Sequence, residues 1–403
     1  MSFLRRLLSA DYRRAVAAEA AGDLDRAAES FGLAGEREAA VRMHLQRAAR
    51  AESRALEIAA LRDALRWAGD DPELQRRPAA ALGSVLLSTA QAQGIATQRD
   101  HERVREAAAL LSTGGEHQRA GEALASIGDH LGAANLYSAG GLVELMEAAL
   151  AKDDDDQQRA HAERDAFAEY KTNLAIGRRD EARAELQRCI SHAATSAEYR
   201  RLLDVLEAKL ITGGRVELLV RGRQPLVVCA VKRVMLGRDP LCDLALRSGG
   251  VSRQHAEIEV AADPLRYVLH DLGSRNGTTL GGMPLAGRIP LTGAGAFGLG
   301  DECLIHFDFV QADEPEGAGR VLRLQIQGGL DRGALLLAAP EQVAISLAPA
   351  ELGVSVSFRD GRPMLAATTA REVRFGGEPL GAVPVQLIRG DQLRIDGTDV
   401  DVA

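Results

Sequence analysis

Five polar residues sit on three short segments of the chain: Arg238 in MLGRDPLCDLAL from Met235, Ser252 and Arg253 in VSRQHAEI from Val251, and Arg275 and Asn276 in DLGSRNGTTLGG from Asp271. Their types suit one task, the capture of a phosphate monoester. Near pH 7 such a group carries close to two negative charges and three acceptor oxygens, so it needs a fork-shaped cation, a hydroxyl donor and free backbone N–H groups. Arg238 offers the fork and Ser252 the hydroxyl, while Arg253 and Arg275 add positive charge on neighbouring loops. The Asn276 amide can both donate to and accept from an extended peptide backbone. Taken singly, each segment has an ordinary reading: Gly237-Arg238 as a turn with a solvated cation, Ser252 and His255 as a loop hydroxyl and a half-buried histidine, Asn276-Gly277 as a tight turn.

Other chemistries find no support. Cys189, Cys229, Cys242 and Cys303 lie far apart with no CxxC pair or Cys/His cluster, so neither a disulfide framework nor a zinc site is expected. There is no GxSxG, HExxH or P-loop, and no GxGxxG between a strand and a helix. The expectation is a protein that is not an enzyme and uses no cofactor or metal. The acidic run Asp153–Asp156 reads as a solvated loop joining two helices, because consecutive carboxylates cannot all converge on one ion. With 49 basic against 57 acidic residues the formal charge is −8, which argues against a whole-protein attraction to nucleic acid. No apolar run approaches the roughly 18 residues of a membrane span. The N-terminus, MSFLRRLLSADYRR, meets charge before a signal-type apolar core develops, so a cytoplasmic protein is expected.

The elements that must position these residues differ between two halves. A chain of 403 residues gives two to three domains. Residues 1–210 hold 14 of the 41 glycines and 2 of the 13 prolines, and apolar residues recur at helical spacing, as in Leu56, Ile58, Leu61 and Leu65. GDLDRAAESFGLAG from Gly22 matches GDHLGAANLYSAGG from Gly128, setting Ala27, Ala28, Phe31 and Gly35 opposite Ala133, Ala134, Tyr137 and Gly141, with a weaker copy from Gly177. These stretches resemble tetratricopeptide-type repeats, although ordinary Ala-rich bundle packing produces such matches too, and imply a helical array offering a protein-interaction surface. Beyond residue 210 the chain alternates: RVELLVRG, HAEIEV, RYVLHDL, CLIHFDFV, RVLRLQIQ and GVSVSF are short, β-rich and separated by turn residues, as in antiparallel sandwiches. Breaks are expected at Ile211–Gly214 and Ala312–Gly319.

The order and spacing of Gly237-Arg238, Ser252 with His255 three residues on, and Asn276-Gly277 resemble the forkhead-associated (FHA) domain, a β-sandwich that binds phosphothreonine peptides. The resemblance covers residues 215–311. It implies that Arg238 and Ser252 contact phosphate, that Asn276 holds the peptide chain, and that Gly237, His255 and Gly277 are architectural, with His255 fixing the loop that presents Ser252. A second, degenerate copy is expected over 319–403. There TLGGMPLAG from Thr279 reappears as RFGGEPLGA from Arg374, and GDECLIHFD from Gly300 as GDQLRIDGT from Gly390. Chance likeness between glycine-rich β segments would give the same match. The phosphate-binding residues are missing from this copy, where AISLAP, PAELGVSV and TTAREV stand instead. The expected fold class is therefore multidomain α plus β: a helical repeat region over 1–210, an FHA sandwich over 215–311 and a smaller FHA-like sandwich over 319–403. The resemblance implies a phosphothreonine-dependent scaffold, downstream of a bacterial Ser/Thr kinase, that binds the kinase or its substrate and holds a second protein on its helices. The alternative is a phosphorylation-independent structural component of a secretion or envelope-associated assembly.

Overall fold

The computed structural model describes residues 9–262, 264–311, 320–341, 343–347, 352–367, 372–380 and 383–403. The first eight residues and the expected linker Ala312–Gly319 lie outside these, as do parts of the AISLAP, PAELGVSV and TTAREV segments. The chain forms two compact units, one ending at Arg159 and the other spanning Ala160–Ala403.

The first unit is helical: α1 (Ala10–Ala21), α2 (Leu24–Leu33), α3 (Arg37–Ala49), α4 (Arg54–Ala68), α5 (Pro72–Gln93), α6 (Gln98–Thr113), α7 (His117–Ala125) and α8 (His130–Ala139), followed by α9 (Val143–Ala175), which runs on into the second unit. The matched sequence copies fold alike. Gly22, Gly128 and Gly177 each end a helix with φ of 80°, 78° and 76°, the left-handed conformation that glycine adopts without penalty. Asp23 and Asp129 then cap the next helix by accepting from the Arg26 and Gly132 amides. In the third copy Arg178 stands at this position without a side-chain cap, which explains why that copy is faint in the sequence. Ala27, Ala28, Phe31, Ala133, Ala134 and Tyr137 are all buried. A Cβ on Gly121 would overlap the Tyr137 ring, so α7 and α8 approach closely at this point.

The acidic run departs from expectation. Asp153–Asp156 lies inside the 33-residue helix α9, not in a loop. Aspartate is a poor helix former, but the flanking Ala, Leu, Glu and Gln residues carry the helix through it. Its carboxylates remain a solvated face, with Asp153 accepting from Gln157 one turn on. Among the described residues no cluster of His, Cys, Asp or Glu could hold a metal, and no helix is long and apolar enough to cross a membrane.

In the second unit α10 (Arg179–His192) and α11 (Ala197–Lys209) precede, among the described residues, 21 strands: β1 (Arg215–Val220), β2 (Leu226–Ala230), β3 (Arg233–Gly237), β4 (Leu244–Ala245), β5 (Ala256–Ala262), β6 (Leu265–Asp271), β7 (Thr278–Leu280), β8 (Met283–Pro284), β9 (Arg288–Pro290), β10 (Gly295–Leu299), β11 (Cys303–Gln311), β12 (Arg320–Ile326), β13 (Leu335–Ala339), β14 (Ile345–Ser346), β15 (Val354–Arg359), β16 (Arg362–Ala367), β17 (Val373–Phe375), β18 (Glu378–Pro379), β19 (Val385–Gln386), β20 (Gln392–Ile395) and β21 (Thr398–Val402). Two sandwiches share one twelve-stranded sheet of order β18-β17-β20-β21-β1-β2-β13-β12-β11-β10-β7-β8. One half of it packs on the five-stranded sheet β4-β3-β5-β6-β9 over a core that includes Leu236, Ile258, Leu269, Phe297 and Leu324. The other half packs on the four-stranded sheet β14-β15-β16-β19 over Leu218, Val228, Val356, Leu365 and Val400.

The two sandwiches do not follow the sequence boundary at 311/319. The hairpin β1–β2, which precedes the first sandwich in the chain, pairs with β21 of the second. The hairpin β12–β13, which precedes the second, pairs along β11 of the first, from Ile305↔Ile326 to Gln311↔Arg320. The copies have exchanged their opening hairpins, and β2 and β13 meet as parallel neighbours at the junction, Leu226↔Leu335 to Ala230↔Ala339. Both are buried on two faces: Val227, Cys229, Leu336 and Ala338 enter one core, Leu226, Val228, Leu337 and Ala339 the other. That is why LVVCA and LLLAA read as unbroken apolar runs and not as alternating strands.

The first of the two expected sequence matches falls on like turns. Gly281 and Gly282 join β7 to β8 with φ of 58° and 84°, and Gly376 and Gly377 join β17 to β18 with φ of 59° and 92°. The second expected match is out of register, because GDECLIHFD spans the turn into β11 whereas GDQLRIDGT holds β20 and the turn into β21. The counterpart of the Gly300-Asp301 turn is Asp396-Gly397. The second sandwich also carries the last helices of the chain. Arg179 on α10 pairs with Asp391 at 3.1 Å, both nearly buried, and the Gln386 side chain accepts from the Asp180 amide at 3.2 Å.

Candidate functional site

Three loops of the first sandwich converge: 238–243 between β3 and β4, 246–255 between β4 and β5, and 272–277 between β6 and β7. Gly237 is what lets the first two meet. A Cβ there would overlap the carbonyl oxygen of Arg253, so only glycine fits. The contact is then closed by backbone bonds, with Arg238 N–H donating to the Ser252 carbonyl at 2.9 Å and Asp239 N–H to the Arg253 carbonyl at 3.0 Å. The Cys242 thiol also donates to the Arg253 carbonyl, at 3.3 Å.

His255 is fully buried beneath the second loop. Its Nδ1 accepts from the Ser252 amide at 3.0 Å, and its Nε2 lies 3.1 Å from the Gly277 carbonyl, to which it donates. The ring therefore ties the Ser252 loop to the Asn276 loop and has no face open to a ligand. Replacing His255 by alanine should remove both bonds and leave a cavity, costing roughly 2–4 kcal/mol. At about 2–4 °C per kcal/mol this lowers the melting temperature by roughly 5–15 °C. An unchanged melting curve together with lost ligand binding would instead assign the ring a direct role.

The third loop is held from below by Asp271, which the sequence reasoning missed. Its carboxylate accepts from the Gly273 and Ser274 amides and from the Ser274 and Thr278 hydroxyls, at 2.6–2.9 Å. Burial opposes its ionisation, but these hydrogen bonds outweigh burial and hold the carboxyl below the usual aspartate range. The D-x-G-S spacing, an acidic residue followed by two small residues with free amides, was the available signal. Gly277 closes the loop with φ 71°.

The upper surface of these loops forms an open pocket of about 770 Å³ lined by Arg238, Ser252, Arg253, Arg275 and Asn276 together with Gly249, Gly250 and Asp239. All five polar residues singled out in the sequence are brought together there, and the three architectural ones lie beneath or beside them. The Ser252 hydroxyl accepts from the Arg275 amide at 3.0 Å, which leaves its own hydrogen to donate. Asn276 donates through Nδ2 to the Gly250 carbonyl at 2.8 Å, which leaves Oδ1 as an acceptor for an incoming N–H. The acid in the lining, Asp239, turns back into its own loop and accepts from the Leu241 amide at 3.0 Å. Among the described residues the guanidinium groups of Arg238, Arg253 and Arg275 have no hydrogen-bond or ion-pair partner, so three cations face one cavity unneutralised. Such an arrangement suits a small polyanion electrostatically.

The family model of the FHA domain matches residues 234–293, which contain all eight residues. Among solved structures, the FHA domain of the CT664 protein from Chlamydia trachomatis is 30% identical to 21% of this chain, over 89% of that domain, with a TM-score of 0.18. An FHA domain solved for a structural and functional analysis of phosphothreonine-dependent FHA interactions is 27% identical over 21% of this chain and 88% of its own, with a TM-score of 0.17. Mycobacterium tuberculosis EmbR, in complex with a low affinity phosphopeptide, is 17% identical over 75% of this chain and 69% of its own, with a TM-score of 0.18. Comparison with curated proteins gives no match.

Proposed function

We propose that this chain, whose residues 234–293 are an FHA domain, is a phosphothreonine-dependent scaffold: it holds one protein on its helices and recruits another once a Ser/Thr kinase has modified it. The observation that carries this reading is the pocket with three unpaired arginines around the Ser252 hydroxyl. Arg238 and Ser252 engage the phosphate, Arg253 and Arg275 add charge at its rim, and the free Asn276 Oδ1 takes a peptide N–H. Hydrogen bonds to a charged group contribute roughly 1.5–3 kcal/mol each, so two or three decide whether a short peptide binds. The role is recognition; these residues contain no nucleophile–base pair of the kind that covalent catalysis uses.

The test is a peptide array, followed by titration of one hit as its phosphothreonine, phosphoserine, glutamate and unmodified forms. Phosphothreonine should bind best. Glutamate should fail, because a planar monoanion cannot occupy donors arranged for a tetrahedral dianion. Binding should also weaken from pH 7 to pH 5, since the phosphate's second pKa is about 6 and protonation removes one of its two charges, and it should weaken with added salt. If all four forms bind alike, the pocket does not read phosphate and the structural-component alternative replaces this proposal.

A further inference from the structure

Next to the arginine pocket lies a groove of about 480 Å³, and Arg238 lines both. Asn276 lines the pocket only. Three segments far apart in sequence build the groove: Arg215, Glu217, Gln224, Pro225 and Val227 from the exchanged hairpin β1–β2, Pro240 and 243–247 around β4, and Asp331 and Ala334 after β12. Its charges are satisfied internally. Arg215 donates to Glu217 at 2.9 Å, Arg247 pairs with Asp331 at 2.6 Å, and the Asp243 carboxylate accepts from the Met235 amide at 2.7 Å. What is left for a ligand is Arg238 at one end, the exposed Gln224 amide, and apolar surface from Pro240 and Ala245, both exposed, and the half-buried Pro225.

We propose that this groove takes an apolar side chain of the phosphothreonine ligand, on the segment that leaves the phosphorylated residue past Arg238 and not past Asn276. The hairpin β1–β2, which completes the second sandwich, thereby becomes part of the specificity apparatus of the first. The inference rests on the phosphate reading of the pocket. Its occupant follows from continuity and charge. An extended chain advances about 3.3 Å per residue, so with Arg238 shared a flanking residue within about three positions of the threonine reaches the groove. An apolar side chain there displaces water without disturbing a formed pair, whereas a charged one competes with Arg215–Glu217 or Arg247–Asp331.

The experiment uses the full chain and a phosphothreonine peptide with alanine at every flanking position. Each position from three before to three after the threonine is then changed in turn to Leu, Lys or Glu. At one position, on one side only, leucine should tighten binding about tenfold over alanine while lysine and glutamate do not. Ala245→Gln, which alters an exposed side chain, and Pro225→Asn, on the exchanged hairpin, should each erase the leucine gain and, adding no charge beside Arg238, leave the all-alanine peptide bound as before. Binding of the all-alanine peptide with no leucine preference, or a preference that survives both substitutions, overturns the groove assignment and leaves the phosphate reading standing. Failure of every phosphothreonine peptide overturns both.

Discussion

Residues 215–311, isolated as the unit that the sequence suggests, should show no cooperative unfolding transition, whereas residues 231–340 should. The cut after Gln311 removes β12 and β13 and with them Leu322, Leu324, Ile326, Leu336 and Ala338, every one of them at most 1% exposed in the core beneath the arginine pocket. Burying a side chain of this size is worth about 1.5–3 kcal/mol, so the loss is on the order of 8 kcal/mol, comparable with the whole stability of a domain. The cut also strips β11 of its partner along seven residues and takes away both acceptors of the buried Tyr267 hydroxyl, the carbonyls of Arg320 and Ala338. The hairpin β1–β2 could in principle swing back to cover β11. Val216, Leu218 and Val220 would then have to fill the places of Leu322, Leu324 and Ile326, with less volume in two of three positions. Thermal unfolding followed by circular dichroism decides the matter. A sharp transition for 215–311 with phosphothreonine binding intact would show that the hairpins are interchangeable and the exchange is not required.

This exchange marks where the sequence stopped being legible. The convergence of these residues on one pocket could be read because the order and spacing of their three motifs resemble the FHA pattern; of the contacts beneath it, the one from the Ser252 amide to His255, three residues on, is local. The two sandwiches could be read because each strand alternates or runs apolar according to the faces it buries. Which hairpin completes which sandwich could not, since RVELLV and RVLRLQI each offer three apolar residues at alternate positions, and alternation does not say which core they enter. The acidic run failed for the opposite reason: a local propensity was given too much weight against more than twenty helix-forming neighbours. Asp271 was passed over because its role lies entirely in bonds to its own turn, and nothing in its type distinguishes it from a surface carboxylate.

Arg238→Ala should reduce phosphothreonine-peptide affinity roughly a hundredfold or more and leave the melting temperature unchanged. The first half follows from geometry. A guanidinium can give two parallel hydrogen bonds to phosphate oxygens, each worth about 1.5–3 kcal/mol, and every 1.4 kcal/mol is a factor of ten in affinity. The second half follows from exposure, since the Arg238 side chain is exposed and its backbone bond to the Ser252 carbonyl does not depend on the side chain. Arg238→Lys should recover only part of the loss, because an ammonium restores the charge without the fork. The same substitution separates Arg238 from its neighbours: Arg253→Ala and Arg275→Ala, at the rim, should cost less and chiefly flatten the salt dependence, as screened charges do. Calorimetry of wild type and the four variants against one peptide at two salt concentrations gives the comparison. Equal affinity for wild type and Arg238→Ala would remove phosphate from the account altogether, because no other guanidinium stands on the loop that Gly237 presses against the Ser252 segment. A loss shared equally by all three arginines would mean instead that the pocket attracts anions by its field alone, without a fork that recognises one.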